Sequence, residues 1–156
     1  RGNVDTRINK LKKGQYDAII LSCAGLISLN MSDEITQFFS TSEIIPSAGQ
    51  GIIALQCRED DDEMVNLLNE VNHLPTYYCA LAEREVLKIL EGDCETAVGV
   101  HAKLEDEKIE LSAELFSIDG TKRFYEKKIK SISDAKSLGE DVGKELKKKS
   151  NYSYKN

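Results

Sequence analysis

The chain has 156 residues, with 21 Lys and Arg against 27 Asp and Glu, a formal charge of -6 and 40% hydrophobic residues. Such a composition belongs to a soluble globular chain and excludes disordered, collagen-like and lipid-spanning classes. No apolar run approaches the ~20 residues that cross a bilayer, and no basic segment leads into an apolar one as in a secretory signal, so the expected location is cytoplasmic, with no membrane partner.

Charge is unevenly spread. Residues 52–100 carry 3 basic and 11 acidic residues, a local charge of -8. An acidic centre argues against nucleic-acid binding, which needs clustered cations to neutralise phosphate. The one basic block, Lys147-Lys148-Lys149, reads as a helix C-terminus, where cations favour the dipole. Cys23, Cys57, Cys79 and Cys94 form no C-x-x-C pair, and His73 and His101 stand at no ligand spacing from them, so no metal site is expected. Cys23 and Cys57 lie in apolar runs and read as small buried hydrophobes. Cys79 falls on a helix face, and Cys94 on a polar, glycine-flanked loop. The chain opens at Arg1 without a lead-in and reads as a piece of a longer protein.

In chain order, Arg1 to Val4 reads as a strand end running into a helix over 5–13, closed by Gly14. The apolar run at 17–22 (D-A-I-I-L-S) predicts a strand buried on both faces, ended by Ala24-Gly25-Leu26. Strand, helix, strand implies a parallel sheet, with ligands approaching beyond the carboxyl strand ends near Gly25. A short helix is expected over 33–39, a strand at 43–45, a small-residue loop at 47–51, a strand at 52–57 and an amphipathic helix to Val71.

After Leu74-Pro75, Thr76 is expected to cap a helix to Glu91, with Cys79, Ala82, Val86, Ile89 and Leu90 on one stripe. Alternating segments at 98–104, 108–117 and 122–130 predict an antiparallel meander. Ser133 is expected to cap a last helix whose inner face is Ala135, Leu138, Val142 and Leu146. The fold class is therefore α/β, a partial periplasmic-binding-like parallel-sheet domain, followed by a small α+β domain with a three-stranded antiparallel sheet.

Three strings stand out: R-G-N-V-D-T-R at 1–7, A-G-Q-G at 48–51 followed by a strand and Arg58, and G-D-C-E-T-A-V-G at 92–99. With D-A-I-I-L-S-C-A-G-L at 17–26, A-E-R at 82–84 and L-F-S-I-D-G at 115–120, their order and spacing resemble the porphobilinogen deaminase (hydroxymethylbilane synthase) family. The resemblance covers the later half of a family member. It implies residues 1–51 in part of the second domain, 52–71 as a crossover belonging to the first, and 72–156 as the C-terminal domain.

The family condenses four porphobilinogens, losing ammonia each time, and releases hydroxymethylbilane. It grows the chain on a dipyrromethane cofactor joined to one cysteine by a thioether. The resemblance puts Cys94 at that cysteine, where an accessible loop suits a nucleophilic thiol. Arg1 and Arg7 match arginines that contact cofactor and substrate carboxylates; a guanidinium fork suits that task and keeps its charge. Gly25 and Gln50 match positions lining the cofactor cleft and interdomain hinge, whereas Arg58 reads as a surface partner of the acidic run 59–63. Ser28 and Ala97 depart from the family's usual arginine and proline.

The family's catalytic aspartate lies in the first domain, so no catalytic residue is expected within 1–156 and the chain alone is expected to be inactive. The implied partners are porphobilinogen and oligopyrrole intermediates. The full enzyme is expected to be a monomer, and this chain to swap or self-associate through 52–57, left without sheet partners. Two other readings fit the residues: a non-catalytic small-molecule (anion) binding module, and a bare interaction domain.

Overall fold

The computed structural model describes residues 2–91 and 96–155. The chain divides between Ser40 and Thr41 into two units.

In the first unit, helix α1 spans Val4–Lys12, α2 spans Cys23–Ser28, and a single 3-10 turn covers Ser32–Glu34. Val4 already lies in α1, so the strand expected to end there is replaced by an extended Asn3 at the N-cap. Gly14 closes the helix as expected, with φ of +69° and its N–H on the Leu11 carbonyl. Ile8 and Leu26 are the buried side chains, and Lys12 pairs with Glu34.

The strand expected at 17–22 is absent, and Ala24-Gly25-Leu26 lies inside α2 rather than at a strand end. A strand exists only through a ladder of hydrogen bonds to a neighbouring strand, and among the described residues no strand pairs with 17–22; Ile20 stays 63% exposed. The helix expected over 33–39 shrinks to its 3-10 turn, since so short a helix needs an apolar face to bury, and Phe38 and Phe39 remain exposed.

In the second unit, α3 spans Asp62–Val71 and α4 spans Leu74–Leu90. Strands β1 (Val98–Glu105), β2 (Lys108–Phe116) and β3 (Arg123–Ser131) follow, and α5 (Ala135–Ser150) closes the fold. The strands form an antiparallel sheet in the order β1-β2-β3, with Val98 opposite Leu115 and Phe116 opposite Arg123. Asp106 and Glu107 join β1 to β2 with φ of 45° and 61°, the backbone of a two-residue turn whose twist suits a hairpin. Along β2, Ile109, Leu111, Ala113 and Leu115 face inward and are wholly buried. They meet Val86 and Leu90 of α4 and Leu138, Val142 and Leu146 of α5. This is the one-faced α+β core that the alternation predicts.

Gly139 and Gly143 let α5 lie close against α4. A Cβ at Gly139 would stand 2.3 Å from the Ala82 carbonyl oxygen, and one at Gly143 would stand 2.7 Å from Ile89 Cβ. Helix starts differ from expectation. His73, not Thr76, is the N-cap of α4, because Pro75 is tolerated in the first turn; Thr76 Oγ1 instead meets His73 Nδ1 at 2.8 Å. Asp134 precedes α5, and Ser133 Oγ bonds Ser131 Oγ at 3.2 Å.

Neither 43–45 nor 52–57 is a strand, and no parallel sheet forms among the described residues. Residues 43–45 turn to lay Ile45 and Pro46 on β1. Residues 52–57 find no strand to pair with, and Ile53 is 89% exposed. The apolar stripe of α3, Met64, Leu67 and Val71, is likewise uncovered. Cys23 and Cys57 are half-buried rather than core residues, because the segments holding them bury little. No described helix is long and apolar enough to cross a membrane.

Candidate functional site

Of the residues singled out by sequence, Arg1 and Cys94 lie outside the described residues; Arg7 and Gly25 are described in the first unit, and Gln50 and the residues flanking 92–95 in the second, each unit by itself. Arg7 stands on α1, half-buried, with its backbone N–H on the Asn3 carbonyl at 3.0 Å. Its guanidinium makes one long hydrogen bond among the described residues, Nη2 to the Ile20 carbonyl at 3.4 Å. A fork so lightly engaged suits a carboxylate ligand. Gly25 sits on α2 in the same unit. A Cβ there would make only an ordinary 3.9 Å contact with Val4, so internal packing does not demand glycine.

Gln50 belongs to the second unit, at the tip of a tight turn. Its N–H bonds the Ser47 carbonyl at 3.0 Å, and Gly49 and Gly51 take φ of +75° and +83°. The side chain is exposed, with Ser47 Oγ 3.5 Å from Oε1. Below it stands a residue the sequence reading gave no role. Glu83, 4% exposed, accepts the Gly49 N–H at 2.7 Å on one carboxylate oxygen and the Ala102 N–H at 2.8 Å on the other. His101 Nδ1 lies 3.9 Å away. The signal was an acid on the stripe that also carries Ala82 and Val86, where a buried charge needs fixed donors.

The same edge of β1 is covered along its length. The Val100 N–H bonds the Pro46 carbonyl at 2.7 Å, and a Cβ at Gly99 would strike the Ile45 carbonyl oxygen at 2.6 Å. Further along, the Leu104 N–H bonds the Cys79 thiol. Burial pushes that thiol above its ordinary value, and the Glu83 charge adds to the effect, while the Leu104 N–H works the other way. Cys79 is therefore a poor nucleophile at neutral pH.

Cys94 follows the end of α4 in the chain, outside the described residues. At that helix end Tyr154 donates to the Leu90 carbonyl at 3.0 Å and Lys147 Nζ to the Ile89 carbonyl at 3.2 Å. Glu91 takes a left-handed turn with φ of 51°, and its carboxylate meets Lys155 at 3.0 Å and Lys147 at 3.3 Å. Hydrogen bonds from Lys155 first, then Lys147, hold that carboxyl below its usual range. On the far side, the Phe116 N–H bonds the Ala97 carbonyl at 3.0 Å. Both stems are thus fixed to the sheet-and-helix body.

A groove of about 400 Å³ lies on the outer sheet face. Its cations are already matched: Lys127 meets Glu110 at 2.7 Å, Arg123 meets Glu114 at 2.8 Å, and Lys103 pairs with Glu105. It is a salt-bridged wet face rather than an anion trap. Arg58 bonds Asp61 at 3.1 Å, the surface pair expected of it. Among the described residues no group of three or more His, Cys, Asp or Glu is placed to hold a metal.

The class these features define is a small helical segment followed by an α+β domain built on a three-stranded antiparallel sheet. The family model described as "Porphobilinogen deaminase, dipyromethane cofactor binding domain" matches residues 1–66. The model described as "Porphobilinogen deaminase, C-terminal domain" matches 77–148. The chain is 41% identical over 146 residues to the porphobilinogen deaminase of Coxiella burnetii (strain RSA 493 / Nine Mile phase I), covering 94% of this chain and 48% of that protein. It is 39% identical to that of Syntrophobacter fumaroxidans and 36% to that of Desulforamulus reducens, over 94% of this chain and 47% of each relative. The chain belongs to the porphobilinogen deaminase family, and it spans about half the length of the curated relatives it matches.

Proposed function

We propose that this chain is the cofactor-carrying later half of a cytoplasmic hydroxymethylbilane synthase. The observation that carries this reading is the agreement of both family domains, in order, with relatives about 40% identical across 94% of the chain. The whole protein condenses four porphobilinogens head to tail with loss of ammonia at each step, and releases the product by hydrolysis.

The dipyrromethane cofactor supplies the primer on which the pyrrole chain grows. Cys94 is its point of attachment, through a thioether, on a loop whose stems are tied down by Tyr154, Lys147 and Lys155. The donor set fits such a polycarboxylate. Arg7 carries a permanent cation held by only one long internal hydrogen bond among the described residues, and Arg1 joins it in gripping acetate and propionate groups. Gly25 and Gln50 line the cleft. Residues 1–51 belong to the second domain, 52–71 cross to the first, and 72–156 form the third. The uncovered stripe of Ile53, Leu55 and Leu67 supports the crossover, because so much exposed apolar surface calls for a partner.

In the family the catalytic aspartate lies in the first domain, so the chain alone forms no bilane. Supplying porphobilinogen to the purified chain and reading product absorbance checks this: no product is expected, and turnover by the chain alone would refute it.

A further inference from the structure

We propose that Glu83 is the positioning residue for Gln50: by holding the Gly49 and Ala102 amides at once, it makes the 47–51 turn a fixed part of the C-terminal body rather than a hinge. The proposal rests on the place given above to Gln50 at the cofactor, but its test reads the clasp itself.

The turn holds two glycines at positive φ around Gln50, a backbone that bends freely unless something outside it intervenes. Its approach is pinned by the Pro46 carbonyl on Val100 and by the fit of Ile45 over Gly99. Past Ala48, which packs against the core, the Gly49 N–H reaches out of the turn to Glu83 at 2.7 Å. The other carboxylate oxygen holds Ala102 on β1 at 2.8 Å. One buried carboxylate therefore ties three pieces together: α4, whose end leads to the cysteine loop, β1, which leaves it, and the turn that presents Gln50. An apolar residue would fill the same space but would leave one buried donor, Ala102, and one half-buried donor, Gly49, unmet. Edge protection of β1 alone would require Ala102 but not Gly49. The bond to the turn is the feature that a purely structural role leaves unexplained.

Residue-resolved amide exchange on the chain tests this. In the unaltered chain, Gly49 should be protected to an extent comparable with Ala102, while Gln50 shows less protection. Gly49 exchanging as an open-loop amide would overturn the proposal without any variant being made. In Glu83→Gln, one oxygen acceptor becomes a donor, and Gly49 exchange should quicken by about tenfold to a hundredfold, with Leu111 and Ala113 of β2 unchanged. The control Glu85→Gln should leave Gly49 as it was, since Glu85 pairs with Lys88 instead. Equal acceleration across β2 and α5 would mean that Glu83 merely holds the fold. The mass of Cys94 reports on the proposed function separately, so either result stands without the other.

Discussion

Tyr154, four residues past the end of α5, donates its hydroxyl to the carbonyl of Leu90, the last residue of α4, at 3.0 Å. Both residues are nearly fully buried, so this bond ties the C-terminal tail to the root of the cysteine loop. Tyr154→Phe keeps the ring and strands a buried acceptor. A loss of about 1–3 kcal/mol is expected, read as a lower urea midpoint with an unchanged slope. An unchanged midpoint would show that water takes over the carbonyl.

Gly143→Ala sets two effects against each other. Alanine gains about 1 kcal/mol over glycine in a helix interior. Against that, its Cβ would lie 2.7 Å from Ile89 Cβ, and overpacking costs about 1–3 kcal/mol. Packing is expected to win, giving net destabilisation. Gly139→Ala, whose Cβ would meet a backbone oxygen at 2.3 Å, should lose more. Thermal unfolding of the two variants gives the order.

Asp119 accepts hydrogen bonds from Ser117 Oγ at 2.5 Å and from the N–H and hydroxyl of Thr121. With the Ser117 bond leading, these lower its carboxyl from 3.8 to about 2. A carboxyl lowered on folding contributes stability that is complete above its unfolded value and lost as pH falls through the folded one. The stability difference between the chain and Asp119→Asn should therefore be constant at neutral pH, begin to shrink at about pH 5 and reach its floor only below about pH 2. A difference independent of pH would contradict the assignment.

Ile53 is 89% exposed and Leu55 60%, on a segment without a strand partner among the described residues. The chain is expected to self-associate there as its concentration rises. Ile53→Glu should shift sedimentation toward the monomer and leave the melting temperature of the α4–sheet–α5 body unmoved. Association undiminished by this change would place the contact elsewhere.

The C-terminal domain was legible in the sequence because its signals are local. Alternation at 109, 111, 113 and 115 survives as the inward face of β2, and the stripe Ala82, Val86, Leu90 as the buried face of α4. The strands expected at 17–22 and 52–57 do not form, since an apolar run states that a segment wants burial but not that a partner is present; 52–57 stands without sheet partners among the described residues, as expected of it. Glu83, part of the A-E-R string, carries no role in the sequence for the opposite reason: its donors, Gly49 and Ala102, are backbone amides 34 and 19 residues away, and backbone groups carry no sequence signature. Arg7 and Gln50 were reached through motif resemblance, and their surroundings, one long hydrogen bond and an exposed glycine-flanked turn, could not be read from spacing.

The central claim is that the Cys94 thiol bears the pyrrole primer. The direct measurement is the mass of the Cys94 peptide from the whole enzyme made in cells, beside the same peptide after Cys94→Ser. The account predicts the added mass of a dipyrromethane on the first and none on the second, with bilane formation lost in the variant. A bare Cys94 peptide from an enzyme that still makes bilane would contradict it.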